Sequence, residues 1–109
     1  MGDEKRSNPR IVSVNLVSCK PQDDFPGGER LGRTRNISIG GILLEVSQFY
    51  PLSSVIELQI ALGEKILKPV GRVVRLQELE NNLVEMGVKF TEISESDRDA
   101  LKKYIATLG

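Results

Sequence analysis

Residues 36–46 read NISIGGILLEV: a polar start, a pair of glycines and an apolar run. Asn36 and Ser38 are two positions apart, so in an extended chain their side chains project to the same face, while the isoleucines that follow each of them point into a core. Gly40 and Gly41 permit positive φ and the close approach of another group to the backbone. The stretch predicts either a hairpin edge with a bulge at the glycines or a shallow polar shelf with room for a ligand.

The composition describes one small domain without a charge bias. The chain has 109 residues, with 15 basic and 15 acidic side chains and a net charge of zero. This length allows one hydrophobic core. Because a domain that coats nucleic acid carries a basic surface, the balance argues against binding to a nucleic acid polymer.

Two residue types that carry much of enzyme and metal chemistry are scarce. The chain has no histidine, and its single cysteine is Cys19. This argues against histidine acid-base catalysis, Cys-His nucleophiles and the usual zinc sites, so we expect neither a metal nor a cofactor. One cysteine cannot form an internal disulfide, which suits a reducing compartment. No stretch approaches the ~20 apolar residues of a membrane span, and no apolar signal follows the charged start, so we expect a soluble cytoplasmic protein with an inert Cys19.

Alternating apolar residues predict a chain made mainly of strands. Residues 1–10 are polar and contain Asn8-Pro9, which predicts a flexible arm without regular structure. We expect the long strand near residue 70 to be interrupted at Pro69 and Gly71 by a bulge or bend. The predicted strands are 11–19, 30–38, 41–47, 55–62, 66–79 and 83–93.

The pattern changes its period after residue 93. Ser94 followed by Asp97 is typical of a capping box at a helix start, and we expect a helix over 95–107. Apolar residues then recur with helical spacing at Leu101, Tyr104, Ile105 and Leu108. Six strands and one helix predict a single mainly-β domain over 11–109, a small antiparallel barrel with a C-terminal helix.

Arginines concentrate ahead of the polar shelf. They are Arg6, Arg10, Arg30, Arg33 and Arg35. A guanidinium group offers a planar fork of donors that grips a phosphate with two hydrogen bonds or stacks on a purine. Asn36 and Ser38 add hydrogen-bonding groups able to read a base edge. Either arginine cluster alone is most simply a flexible basic arm or a solvated strand face. The polar shelf beside them shifts the balance toward a site that contacts phosphate or a base.

At this point the sequence resembles a known family. RSNPR, at 6–10, is similar to the RxxxR motif of PilZ domains, and NISIGG matches their (D/N)xSxxG motif through Asn36, Ser38 and Gly41. The segments GRVVRL, EMGVKFTEIS and ESDRDALKKYI resemble the family's C-terminal part, so the resemblance covers nearly the whole chain. It implies a six-stranded antiparallel β-barrel of the PilZ type with a C-terminal α-helix, and it implies cyclic di-GMP as the ligand.

The resemblance also implies roles for individual residues. Arg6 and Arg10 would clamp phosphates and the Hoogsteen edges of guanine, and Asn36 and Ser38 would meet guanine or phosphate from the barrel. Gly41 would hold the turn that keeps the shelf clear. Lys5, Arg33 and Arg35 lie beside the motifs, which do not specify them, and are further candidates for ligand contacts. For Arg33 and Arg35 the alternative is a solvated strand face.

The implied function is that of a stand-alone receptor or adaptor. Its arm would become ordered over the ligand and create a surface for a downstream protein, in motility or biofilm regulation. The alternative is a PilZ-type protein-interaction module that does not bind nucleotide. A barrel for single-stranded nucleic acid is disfavoured, because the chain has only five aromatic residues and no tryptophan. An enzyme is disfavoured because no carboxylate pair is recognisable and histidine is absent.

Overall fold

The computed structural model describes residues 11–12, 14–22 and 29–108, so the arm predicted at 1–10 lies outside the described residues. A 3₁₀ turn, Glu80–Asn82, connects the last two strands. The regular elements are β1 (Ile11–Val12), β2 (Leu16–Pro21), β3 (Arg30–Ile37), β4 (Gly41–Val46), β5 (Val55–Leu62), β6 (Lys65–Leu67), β7 (Val70–Glu78), β8 (Val84–Glu92) and α1 (Glu95–Leu108).

Six of these strands form a closed antiparallel barrel. The ring runs β3-β2-β5-β7-β8-β4 and closes through the pairing of β4 with β3. Strand β1 pairs with the same edge of β3 as β2 does, and the short β6 pairs with β5. The predicted fold class, a six-stranded antiparallel barrel with a C-terminal helix, is confirmed.

Two predicted strands are each divided in two. The strand expected at 11–19 is interrupted between β1 and β2, and the strand expected at 66–79 breaks between β6 and β7 at Pro69. Proline lacks the N–H that a continuous ladder needs. The pairing of β7 with β8 also shifts register between Val70 and Gly71. The irregularity predicted near Pro69 and Gly71 is therefore confirmed.

Alternating side chains fill the barrel. Strand β5 shows the pattern most clearly, because Ile56, Leu58, Ile60 and Leu62 are all buried. Complete burial of such a side chain contributes about 1.5–3 kcal/mol. Leu101 of α1, with no measurable exposure, joins the same core. The helix is thus attached to the barrel by its apolar stripe.

The start of α1 is capped by Ser94, the residue that the sequence predicts. The Asp97 N–H donates to Ser94 Oγ at 3.0 Å, so Ser94 is the N-cap. The Asp97 carboxylate accepts from the Lys68 N–H at 2.9 Å, at the break between β6 and β7, and lies 3.8 Å from Lys65 Nζ. The predicted N-cap is therefore confirmed, and the Asp97 carboxylate also joins the helix to the barrel.

Asn15 connects three elements at the interruption between β1 and β2. Its N–H donates to Thr34 Oγ1 at 2.8 Å, and that hydroxyl donates to Asn15 Oδ1 at 3.1 Å. Its Nδ2 donates to the Ala61 carbonyl at 3.0 Å and to the Tyr104 hydroxyl at 3.1 Å. Thr34 is buried and Asn15 is half-buried, so the bonds between them are partly shielded from water. Asn15 therefore joins β3, β5 and α1.

We predict that Asn15→Ala lowers the free energy of unfolding by about 2–3 kcal/mol, because it removes two donated bonds and leaves the Thr34 hydroxyl without its acceptor. Urea unfolding followed by circular dichroism measures the change. Gln59→Ala, on the exposed face of β5, is the control and should change it by less than about 0.5 kcal/mol. Equal values for the two variants would show that the Asn15 bonds contribute little.

The single cysteine is buried in the barrel wall. Cys19 is 1% exposed, and its carbonyl accepts a hydrogen bond from the Tyr50 hydroxyl at 3.1 Å. Burial, with a smaller contribution from the negative charge of Glu29, raises the pKa of the Cys19 thiol to about 12. Because the thiolate is the nucleophile, a raised pKa and burial both lower its reactivity.

We predict that Cys19 does not react with Ellman's reagent in the folded protein at pH 8 and reacts fully in urea. The neutral thiol stabilises the fold below its ordinary pKa of about 8.5, and this contribution is lost as the pH rises through the folded value. Stability should therefore fall more steeply between pH 9 and pH 12 in the wild type than in Cys19→Ala. Rapid labelling of the native protein would contradict the burial.

Candidate functional site

The β3–β4 hairpin gathers the polar motif at one end of the barrel. Ile37 pairs with Ile42, and the Ser38 N–H donates to the Gly41 carbonyl at 2.9 Å. Ser38 Oγ donates to the same carbonyl at 3.3 Å, and the residue is 6% exposed. The shelf expected from Asn36 and Ser38 is therefore only partly open: Asn36 is half-buried, while the Ser38 hydroxyl is turned toward the hairpin backbone.

A bulge at Arg35 orients this motif. Thr34 pairs with Leu44 and Asn36 pairs with Leu43, so Arg35 is an extra residue in β3. Thr34 is buried, and strict alternation from Thr34 would turn Asn36 inward and Ile37 outward. The extra residue reverses this order, so that Asn36 turns outward and Ile37 is fully buried. The hairpin interpretation placed a bulge at the glycine pair, and this position is wrong: the bulge lies at Arg35, before the motif.

Gly41 is required by the neighbouring strand. A Cβ atom built on Gly41 would lie 2.3 Å from the Val88 carbonyl oxygen of β8. The close approach predicted for the glycine pair is therefore real, but the group that approaches is the backbone of β8. Positive φ, which the sequence also permitted at the pair, occurs among the described glycines at Gly63.

We predict that Gly41→Ala lowers the free energy of unfolding by about 1–3 kcal/mol, because a methyl group at this position must push β4 away from β8. Gly40→Ala, at the exposed neighbouring position, is the matched control and should be milder. Thermal unfolding of both variants gives the comparison. A Gly40 variant as unstable as the Gly41 variant would assign the effect to the turn instead of the strand contact.

Arginine and glutamate side chains alternate across the outer face beside the hairpin. Arg33 Nε lies 3.0 Å from Glu45 Oε1, and Arg35 Nε lies 3.4 Å from Glu85 Oε2. Glu85 Oε1 is also 3.6 Å from Arg75 Nη2. Sequence reasoning identified Arg33 and Arg35 but missed the glutamates, because the register that pairs Glu45 with Glu85 depends on contacts between β4 and β8.

Arg30, the remaining arginine of the predicted β3 cluster, lies at the other end of the strand. Its guanidinium carbon is 4.4 Å from the centroid of the Tyr50 ring, and Nη1 donates to the Phe49 carbonyl at 2.5 Å. These contacts stabilise the end of the barrel opposite the hairpin.

The RxxxR motif directly precedes β1 in the sequence, and β1 pairs with β3 beside the (D/N)xSxxG motif. Strand β1 pairs Ile11 with Ile37 and Val12 with Asn36. The sequence segment with Arg6 and Arg10 therefore connects to the described chain next to the hairpin. Lys5, Arg6 and Arg10 themselves lie outside the described residues.

An apolar depression that the sequence did not indicate lies on the same outer face, toward the end of β3 away from the hairpin. Its volume is about 290 Å³. Leu16 and Leu31 are 73% and 72% exposed, which is unusual for leucines in a barrel wall. The residues that line it are Leu16, Leu31, Gly32, Arg33, Glu45, Ser47 and Leu83. The outer face therefore changes from polar to apolar along β3.

Comparison with known families identifies this combination of barrel, hairpin and helix. The PilZ domain family model matches residues 4–107. The chain belongs to the PilZ domain family. The match includes both motif segments, so the resemblance first seen in RSNPR and NISIGG is confirmed at the level of the family.

Solved structures of PilZ proteins share this fold. The Bacillus subtilis inhibitor of motility (MotI/DgrA) superposes with a TM-score of 0.78 at 22% identity, covering 94% of this chain and 51% of that one. The PilZ domain of Escherichia coli YcgR with c-di-GMP gives 0.75 at 15% identity, covering 95% and 91%. The MrkH–c-di-GMP complex of K. pneumonia gives 0.76 at 16% identity, covering 95% and 51%.

This PilZ chain thus spans about half the length of MotI and MrkH and nearly all of the isolated YcgR domain. At these identities the similarity establishes the fold. Comparison with curated protein sequences gives no match. Within the described part of the chain, no helix has the length and apolar character needed to cross a membrane.

Proposed function

We propose that this PilZ domain is a cytoplasmic receptor for cyclic di-GMP, which binds on the outer face of the barrel at the β3–β4 hairpin. The observation that carries the proposal is the pairing of β1 with β3, which joins the RxxxR segment to the barrel beside Asn36. Family membership and the intact residues of both motifs support it. Two of the structures that share the fold, YcgR and MrkH, are complexes with c-di-GMP.

The chemistry of the ligand suits the proposed residues. Cyclic di-GMP presents two phosphates and two guanines, so it needs charged donors and groups that read a base edge. Arg6 and Arg10 would supply bidentate donors, and the Asn36 amide would offer both a donor and an acceptor. The Ser38 hydroxyl donates to the Gly41 carbonyl, so it would meet the ligand with its remaining acceptor lone pairs or after rotation.

Ligand binding would create a signal by ordering the arm. Residues 1–10 contain one large apolar residue, Met1, and ordering each backbone residue costs about 1–2 kcal/mol. Charged hydrogen bonds of about 1.5–3 kcal/mol each would have to exceed that cost. The product would be a surface made of ligand, arm and barrel, which a downstream protein reads. The domain would act as an adaptor without catalytic activity. The output we propose is control of motility or biofilm formation.

The second candidate is a PilZ-type interaction module that does not bind nucleotide. The exposed leucines at Leu16 and Leu31 favour contact with a protein partner in this case. The two candidates differ in one respect, because only the receptor requires Arg6 and Arg10 to contact a ligand.

We predict that isothermal titration calorimetry detects cyclic di-GMP binding at micromolar concentration or tighter, and that Arg6→Ala and Arg10→Ala each weaken it by about tenfold or more. Arg98→Ala, on the exposed face of α1, is the matched control and should leave the affinity unchanged. The fitted ratio reports one or two ligands per chain. Folded wild-type protein that gives no heat at millimolar ligand would favour the interaction module.

A further inference from the structure

The bulge places an arginine directly beside the motif asparagine. Arg35 and Asn36 occupy the bulge opposite a single residue of β4, Leu43. Two consecutive side chains of a bulged strand therefore share the outer face at this point. The Arg35 side chain is 44% exposed, while its neighbour Thr34 is buried. Arg35 is thus within the outer surface to which the ligand is proposed to bind.

The guanidinium group of Arg35 is nevertheless drawn away from the hairpin. Its Nε lies 3.4 Å from Glu85 Oε2 on β8, two strands across. Leu43, which faces the bulge, pairs with Gly87, whereas Glu85 pairs with Glu45 two positions farther from the hairpin. The side chain of Arg35 therefore leans along the barrel, away from Ser38 and Gly41.

The contact that draws Arg35 away is a weak one. The N–O distance of this pair, 3.4 Å, is long, and solvent at the 44% exposed Arg35 side chain screens the attraction. Glu85 is 12% exposed in its side chain and has a second cation, Arg75, at 3.6 Å. It also faces the like charge of Glu45 across the β4–β8 pair. Glu85 would therefore keep a counter-charge if Arg35 turned away.

We propose that Arg35 is a third arginine of the ligand site and that Glu85 restrains it until a phosphate of the ligand displaces the carboxylate. This inference rests on the proposed function. Arg35 exchanges one long contact with a carboxylate for a phosphate that accepts two hydrogen bonds from the same guanidinium group. Glu85 then sets the affinity of the domain by competing for the arginine that binds the ligand.

The test is a double-mutant cycle measured by isothermal titration calorimetry with cyclic di-GMP. Glu85→Gln should bind about three- to tenfold more tightly, because it removes the competitor and one negative charge near a doubly charged ligand. Arg35→Gln should bind about tenfold more weakly. In the double variant the gain from Glu85→Gln should fall to about twofold or less, because there is no arginine to release.

Glu45→Gln is the matched control. It removes the same charge from the residue that faces Glu85, but it releases Arg33, which lies farther from the motif along β3. We expect a gain of about twofold or less. A gain equal to that of Glu85→Gln, or one that persists in the Arg35→Gln background, would overturn the proposal, because the effect would then be one of overall charge.

A second measurement avoids mutation. The ¹⁵Nε resonance of Arg35 should shift when the wild-type protein is saturated with cyclic di-GMP, while that of Arg98, on the exposed face of α1, stays in place. An unmoved Arg35 resonance with bound ligand would overturn this inference and leave the receptor function intact. Folded wild-type protein that does not bind the ligand at all would overturn both.

Discussion

The hydrogen bonds between Asn15 and Thr34 lie where the strand pairing on both sides of β3 becomes irregular. On one side of β3 the chain is interrupted between β1 and β2, and on the other side Arg35 is an extra residue opposite β4. Both irregularities lie at the level of Thr34, whose hydroxyl bonds twice to Asn15. Because Asn15 also donates to Tyr104, the same network attaches α1 to the barrel.

The candidate site depends on this change of register. A closed barrel offers each strand one face for the core and one for solvent, so a shift of one residue exchanges the two faces. The bulge turns Ile37 into the core and presents Arg35 and Asn36 together outside. The outward orientation of Arg35 and Asn36 is therefore a consequence of buried packing, and the acidic residues Glu45 and Glu85 complete the charge pattern beside them.

Much of the fold could be read from local patterns. Period-two alternation located all six barrel strands, and the helix begins at Glu95 after Ser94, its predicted cap. The break at Pro69 follows from a missing N–H. The position of the bulge and the inward turn of the Ser38 hydroxyl could not be read this way, because both depend on which residues of β4 face β3. For the same reason the glutamates that contact Arg33 and Arg35 were missed.

Alternation and turn residues are local properties of the chain, and they were enough to predict a small antiparallel barrel with a C-terminal helix. The two motifs, which are also local, carried the resemblance to the PilZ family. The outward orientation of Asn36 and the residues around it depend instead on how the strands pair. Asn36 and Glu85 are far apart in sequence, and they come onto one surface through the pairing of β3 with β4 and of β4 with β8. That pairing is selected by the burial of a shared core, to which strands throughout the chain contribute.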